Sequence, residues 1–209
     1  MSRRMVALAA LVAALVPLVA LANTPPCCTS TVPAYVNLVG FGPAGPDTAL
    51  GHFTVVVRDL ASNPVPGSLV VLDFSGCPDA EIASDQQNPL LTVDCPTRSV
   101  RASTDLRGEA TFTVVGAKSA SNASVPDCLK IYADGVLLGG VRVGIFDLDG
   151  VGGVALADLS NWAADYFSAT NPPRASYDGD PWVDLIDLSF WSRAYFGGNS
   201  SASSTSYCP

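Results

Sequence analysis

The chain has 209 residues, 19 acidic against 11 basic side chains, and a formal net charge of −8. That length allows one medium domain plus a small one, and the acidity excludes nucleic acid as a partner, because phosphate binding needs a basic face. A single histidine, His52, excludes a His-rich metal site.

The N-terminus carries Arg3 and Arg4, an apolar run over residues 5–21 and the small-residue site Ala20-Leu21-Ala22. A positive end, an apolar stretch and an A-x-A site predict a secretory signal peptide over residues 1–22, with a retained N-terminal anchor as the alternative. No membrane span is expected after cleavage. Six cysteines in an exported chain point to disulfides. Cys77 and Cys95 are placed to close a loop with a chain-entropy value of about 3 kcal/mol. Cys27 and Cys28 are expected to pair elsewhere, with Cys128 and Cys208 as candidates and an intermolecular bond as the alternative.

Residues 23–33 form a Pro- and Cys-bearing lead-in. From Tyr35 the texture becomes short apolar runs between turn residues. Phe53, Val55 and Val57 alternate with polar neighbours, and Val70, Leu72 and Phe74 share one face of the next run. Further runs fall at residues 90–93, 99–102, 110–115 and 130–133. Asp134-Gly135 between apolar pairs is a strong hairpin signal. Six to eight short strands with turns about every ten residues predict a mainly β fold, an antiparallel sandwich over residues 34–143. No helical period precedes residue 155.

This stretch resembles bacterial Ig-like domains of the invasin and intimin type. The resemblance is carried by Val55-Val-Val-Arg-Asp59, by Asn63-Pro-Val-Pro-Gly67 leading into Val70-Val-Leu-Asp-Phe74, and by Thr104-Asp-Leu-Arg-Gly108-Glu-Ala-Thr-Phe-Thr113. It implies an Ig-like spacer or adhesive module and brings no catalytic residue.

Residues 147–209 contain one pattern twice, offset by 29 residues. The first copy runs Asp147-Leu-Asp-Gly-Val-Gly-Gly-Val-Ala-Leu-Ala-Asp158, then Leu-Ser-Asn-Trp162 and Tyr166-Phe167. The second runs Ser176-Tyr-Asp-Gly-Asp-Pro-Trp-Val-Asp-Leu-Ile-Asp187, then Leu-Ser-Phe-Trp191 and Tyr195-Phe196. An acidic, Gly-containing twelve-residue loop followed by an apolar helix is how a chain holds a hard cation with oxygen ligands at positions 1, 3, 5, 7, 9 and 12. The first loop offers Asp147, Asp149 and Asp158, with the Gly153 main-chain carbonyl at position 7. Gly152 supplies the turn, and Val151 at position 5 has no side-chain oxygen. The second offers Ser176, Asp178, Asp180 and Asp187, the Trp182 carbonyl at position 7 and Asp184 at position 9. Its Pro181 cannot make the turn that position 6 requires, because proline φ is held near −65°. The first loop is therefore the better candidate for a single ion. Leu159, Trp162 and Tyr166, like Leu188, Trp191 and Tyr195, fall at helical spacing and are expected in the core.

The duplicated loop and helix resemble a dockerin type I module over residues 146–197, on Asp147, Asp149, Gly152, Val154, Asp158 and Leu159, then Asp178, Asp180, Val183, Asp187 and Leu188. Within residues 144–197 the resemblance implies a small α-helical domain of paired loop–helix units that binds calcium and docks onto a cohesin-like extracellular partner. Residues 198–209 form a Gly/Ser tail. The expectation is a secreted or cell-surface, non-catalytic modular protein. The alternative is a cell-surface carbohydrate-binding protein associated with polysaccharide breakdown, using exposed aromatics such as Trp182. No catalytic constellation stands out. His52 lacks a nucleophile elbow, and Asp73, Asp79 and Glu81 are expected to be solvated surface acids. Asn122-Ala-Ser124 and Asn199-Ser-Ser201 match short glycosylation acceptors.

Overall fold

A computed structural model describes residues 25–204 and 206–208; the expected export signal at residues 1–22 lies outside the described residues. The chain begins with β1 (Tyr35–Leu38), the two-residue strands β2 (Phe41–Gly42) and β3 (Gly45–Pro46), a one-turn helix α1 (Thr48–Gly51) and β4 (His52–Val56). There follow β5 (Leu69–Asp73), β6 (Ala80–Ile82), β7 (Thr92–Asp94), β8 (Ser99–Ser103), β9 (Glu109–Thr113), β10 (Gly116–Lys118), β11 (Leu129–Ala133) and β12 (Val136–Ile145). Two longer helices, α2 (Leu156–Tyr166) and α3 (Leu185–Gly197), close the order, and the fold is mainly β.

The apolar alternation in the sequence sets which strand faces turn inward. Val70 and Leu72 of β5 are fully buried, as are Leu129, Ile131 and Ala133 of β11. Burying each Val or Leu stabilises by about 1.5–3 kcal/mol. Six strands form one sheet in the order β1-β12-β11-β5-β8-β7. β4 pairs with β9, setting Phe53 opposite Phe112 with their rings stacked at 5.4 Å. β6 pairs with β10 and β2 with β3, and inward residues of the six-stranded sheet and of β4, β6 and β9 join a single apolar cluster. The Asp134-Gly135 hairpin forms as expected, with φ of 49° and 81° at the two turn residues. Both left-handed conformations suit the twist of β11 and β12.

Three features differ from the sequence expectation. β1 runs parallel to β12, from Tyr35 opposite Arg142 to Leu38 opposite Ile145. Helix α1 precedes residue 155; its apolar period is too short to detect, and the Asp47 carboxylate caps it by accepting from Ala49 N at 3.1 Å. The disulfides are Cys77–Cys128 and Cys95–Cys208, which replaces the expected Cys77–Cys95 closure. The reason is strand order. β5 and β11 are neighbours, so Cys77 just after one and Cys128 just before the other stand 4.9 Å apart at Cα. Cys27 and Cys28 remain free and exposed.

The segment after α3 returns along the β body. Ala202 exchanges backbone hydrogen bonds with Phe41, Cys208 N donates to Ile82 O at 2.9 Å, and the Ser200 hydroxyl donates to the Asp47 carboxylate at 3.2 Å. Ser200 is fully buried. Among the described residues no helix is long and apolar enough to cross a membrane.

Candidate metal centre

The first repeat loop leaves β12 through Ile145 and Phe146, so Asp147 stands at the end of a buried strand. The loop's backbone is held at both ends. Lys118 N donates to Asp147 O at 2.8 Å, and Val154 N donates to Ser200 O at 2.8 Å. Between them the chain turns tightly, with Gly150, Gly152 and Gly153 at φ of 74°, 78° and 83°, a region that disfavours a Cβ. Gly153 also lies against the backbone of Ser201 and Ala202, where a Cβ would come within 2.6 Å.

This turn folds Asp147, Asp149 and Asp158 toward one point, where one oxygen from each lies within 4.8 Å of the others. Calcium–oxygen distances of about 2.3–2.6 Å put ligands at that separation around one ion. The carboxylates are also tied to the loop backbone. Asp147 Oδ1 accepts from Gly150 N at 2.7 Å, and Asp149 Oδ1 from Val151 N at 2.8 Å. Asp158 Oδ1 accepts from Leu148 N and Asp149 N at 2.6 and 2.9 Å, and its Oδ2 from Ala155 N at 2.7 Å. The other oxygen of Asp147, Oδ2, is buried and has no hydrogen-bond partner. A buried carboxylate oxygen without a donor costs about 1–3 kcal/mol or more, and a bound cation removes that cost.

The electrostatics agree. Burial, with the Asp158 charge second, pushes the Asp147 carboxyl up to about 6. Burial is also the main force raising Asp158. Without a cation, Asp147 and Asp158 resist ionisation. Val151, at the fifth position, is 70% exposed and contributes no oxygen.

The second loop folds differently. Gly179 takes φ of 84°, matching Gly150, but Pro181 and Trp182 replace Gly152 and Gly153 and neither is left-handed. Its polar groups are engaged internally. The Ser176 hydroxyl donates to Asp180 O at 2.9 Å. Asp178 Oδ1 accepts from Asp180 N at 3.0 Å, and Asp180 Oδ1 from Trp182 N at 2.7 Å. Asp187 accepts from Tyr177 N and Asp184 N at 2.6 and 2.8 Å, and Asp184 caps α3 through Ile186 N at 2.6 Å. Among the described residues, only the first loop gathers three carboxylates.

The second loop is instead seated on the sheet. Tyr177 is fully buried, its ring stacks on Phe146 at 4.2 Å, and its hydroxyl donates to Ile145 O at 3.1 Å. Arg142 Nη1 donates to Asp180 O at 2.6 Å, and Asn37 Nδ2 donates to Tyr177 O at 3.0 Å. Gly144 of β12 makes room, because a Cβ there would lie 2.9 Å from the Ser176 carbonyl.

The helices repeat one aromatic geometry. Trp162 stacks on Tyr166, and Trp191 on Tyr195, both at 5.3 Å. Both tryptophans are buried, as their spacing predicted, whereas Trp182 is 60% exposed. The terminal Phe167 and Phe196 of each copy project into solvent, as do Leu156 and Leu185 at the helix starts.

Sequence reasoning missed a buried ionic junction. Arg174, between the repeats, makes a two-pronged contact with Asp165 of α2 at 2.8 and 2.6 Å. Its Nη1 donates to Asn122 O at 3.1 Å and lies 3.8 Å from Asp79 Oδ2. Asp79 is therefore buried, not a solvated surface acid, and burial raises its carboxyl. Asp165 and Arg174 are nine positions apart, outside any helical pairing rule, and Asp79 is remote in sequence, so no local signal marks the three. Comparison with protein-family models, curated proteins and solved structures finds no match to this chain.

Proposed function

We propose that this chain is a secreted or cell-surface, non-catalytic modular protein. In this reading its β body is an Ig-like sandwich acting as a spacer or adhesive domain, and its C-terminal repeat is a dockerin-like module stabilised by calcium. The observation that carries the reading is the buried, partnerless Asp147 Oδ2 in a three-carboxylate cluster at the head of the first of two repeated loop–helix units. Asp147, Asp149 and Asp158 would hold the ion, which supplies electrostatic neutralisation and loop rigidity. The two disulfides fit an oxidising environment. Matched exposed apolar residues at equivalent repeat positions, Leu156 with Leu185 and Phe167 with Phe196, support docking to an extracellular protein of cohesin type.

Calcium titration of the whole chain tests the metal. One ion per chain with a Kd at or tighter than the weak extracellular range of about 10⁻⁴–10⁻³ M is expected. Unchanged melting temperature and tryptophan fluorescence in millimolar calcium would refute it. A chelator-sensitive pull-down from the secreted fraction tests docking. The exposed Trp182 favours a second reading, a polysaccharide-binding surface, which predicts glycan retention that is lost in Trp182→Ala and is indifferent to chelator.

A further inference from the structure

The described cysteines divide into two classes. Four are paired within the chain, and Cys27 and Cys28 are free, exposed and adjacent. They cannot readily bond to each other. Neighbouring Cα atoms across a trans peptide are about 3.8 Å apart, below the span of about 4.4–6.8 Å that disulfides use. The remaining four cysteines are consumed, so no partner is left inside the chain.

Their placement is also specific. Ser30 N donates to Pro26 O at 3.4 Å, which makes Cys27 and Cys28 the tip of a turn. The residues just after that tip are fastened to the β body. Thr31 and Val56 exchange backbone hydrogen bonds at 2.8 and 2.9 Å. The Thr29 hydroxyl donates to Asp59 O at 2.9 Å, and Arg58 N donates to the Ser30 hydroxyl at 3.1 Å. Two thiols are thus presented to solvent on an anchored base. Residues 23–33 contain no charged side chain, although the whole chain carries −8. This is a place where two copies of an acidic protein can meet without concentrating like charge.

We infer that the Cys27-Cys28 tip is a covalent dimerisation site whose partner is a second copy of this chain. A two-fold axis between two such tips brings Cys27 of each copy to Cys28 of the other, a self-complementary contact that closes at two subunits. Each bond forms by thiol–disulfide exchange with a small-molecule disulfide. A cysteine thiolate attacks that disulfide and releases one small thiol. The partner's thiolate then attacks the mixed disulfide and releases the second. Two protein thiols are oxidised for each small disulfide reduced, and their two protons leave to solvent or to the released thiolates. If the C-terminal repeat is the docking module proposed above, the dimer carries two of them. A surface with repeated partner sites then holds it with avidity about 10²–10⁴ above that of one module.

The test is incubation of the purified full chain in a mixture of reduced and oxidised glutathione, followed by alkylation, a non-reducing gel and intact mass. The expected result is a species of twice the monomer mass that reductant returns to monomer. Because each bond joins Cys27 of one copy to Cys28 of the other, Cys27→Ser or Cys28→Ser alone abolishes it, as does the double variant C27S/C28S, and an equal mixture of the two single variants restores one bond. A monomer with both thiols alkylated, a monomer joined Cys27 to Cys28, a monomer capped by glutathione, or a dimer persisting in C27S/C28S each overturns the inference. Calcium titration of C27S/C28S is expected to match that of the unmodified chain. A chain that dimerises without binding calcium refutes only the docking module, and one that binds calcium but stays monomeric refutes only the dimer.

Discussion

Asp147→Asn separates the cost of the acidic triad from its use. Asparagine keeps the oxygen that accepts from Gly150 N and Val151 N. It replaces the partnerless, buried Oδ2 with an uncharged amide. In the calcium-free protein, Asp147 is raised from 3.8 to about 6. Below the unfolded value both states hold the proton and the group contributes nothing. As pH rises from about 4 to about 6, the unfolded chain ionises first and the folded state loses stability. The loss is complete above about 6 and comes to about 3 kcal/mol at pH 7 by the free-energy value of a pKa shift. Asp147→Asn removes it, so in chelator at pH 7 the variant should melt about 6–12 °C higher for a chain of this size. In calcium the gap nearly closes. At a hundred times its Kd the ion stabilises the parent by about 2.7 kcal/mol, and the variant, lacking that ligand, should show no such gain. Urea denaturation of both proteins at pH 5 and pH 7, each with calcium and with chelator, measures all of these differences. A variant less stable than the parent in chelator at pH 7, or one that keeps the full calcium response, would refute the reasoning.

Arg174→Met leaves the Asp165 and Asp79 carboxylates buried without their cation. It should cost about 3–5 kcal/mol in the same denaturation experiment, with Asp165→Asn giving a smaller loss. Cys208→Ser opens a closure of 113 residues, worth about 5 kcal/mol in the chain-entropy account. Limited proteolysis should then cut the segment after residue 198 first. Asp180→Asn, in the second loop, should leave calcium stoichiometry and affinity unchanged by calorimetry; a lost or weakened site would show that the ion sits there instead.

The two helices were legible because their information is local. Leu159, Trp162 and Tyr166 repeat at helical spacing in the first copy, and Leu188, Trp191 and Tyr195 in the second. Period alone places such residues on one face. The same holds for Val70 and Leu72 on β5 and for the Asp134-Gly135 turn. The inequality of the two loops was legible for a similar reason, since Gly152 and Pro181 have opposite backbone preferences at equivalent positions.

What the sequence determined by itself is therefore the longer strands and the two repeat helices, their inward faces and the loop in which three carboxylates meet, while α1 and the two- and three-residue strands β2, β3, β6 and β10 carry too short a period to be read. Tertiary structure alone decided which remote groups became neighbours. Cys128 meets Cys77 because β11 lies beside β5. Arg174 reaches Asp79 across a fold that no local pattern describes. Asp147 has an orphaned oxygen only because the surrounding chain removes it from water. Backbone preference and side-chain periodicity act over a few residues and can be read along the chain. Burial, disulfide pairing and charge desolvation depend on what lies across the core, and exist only once the strands have been ordered.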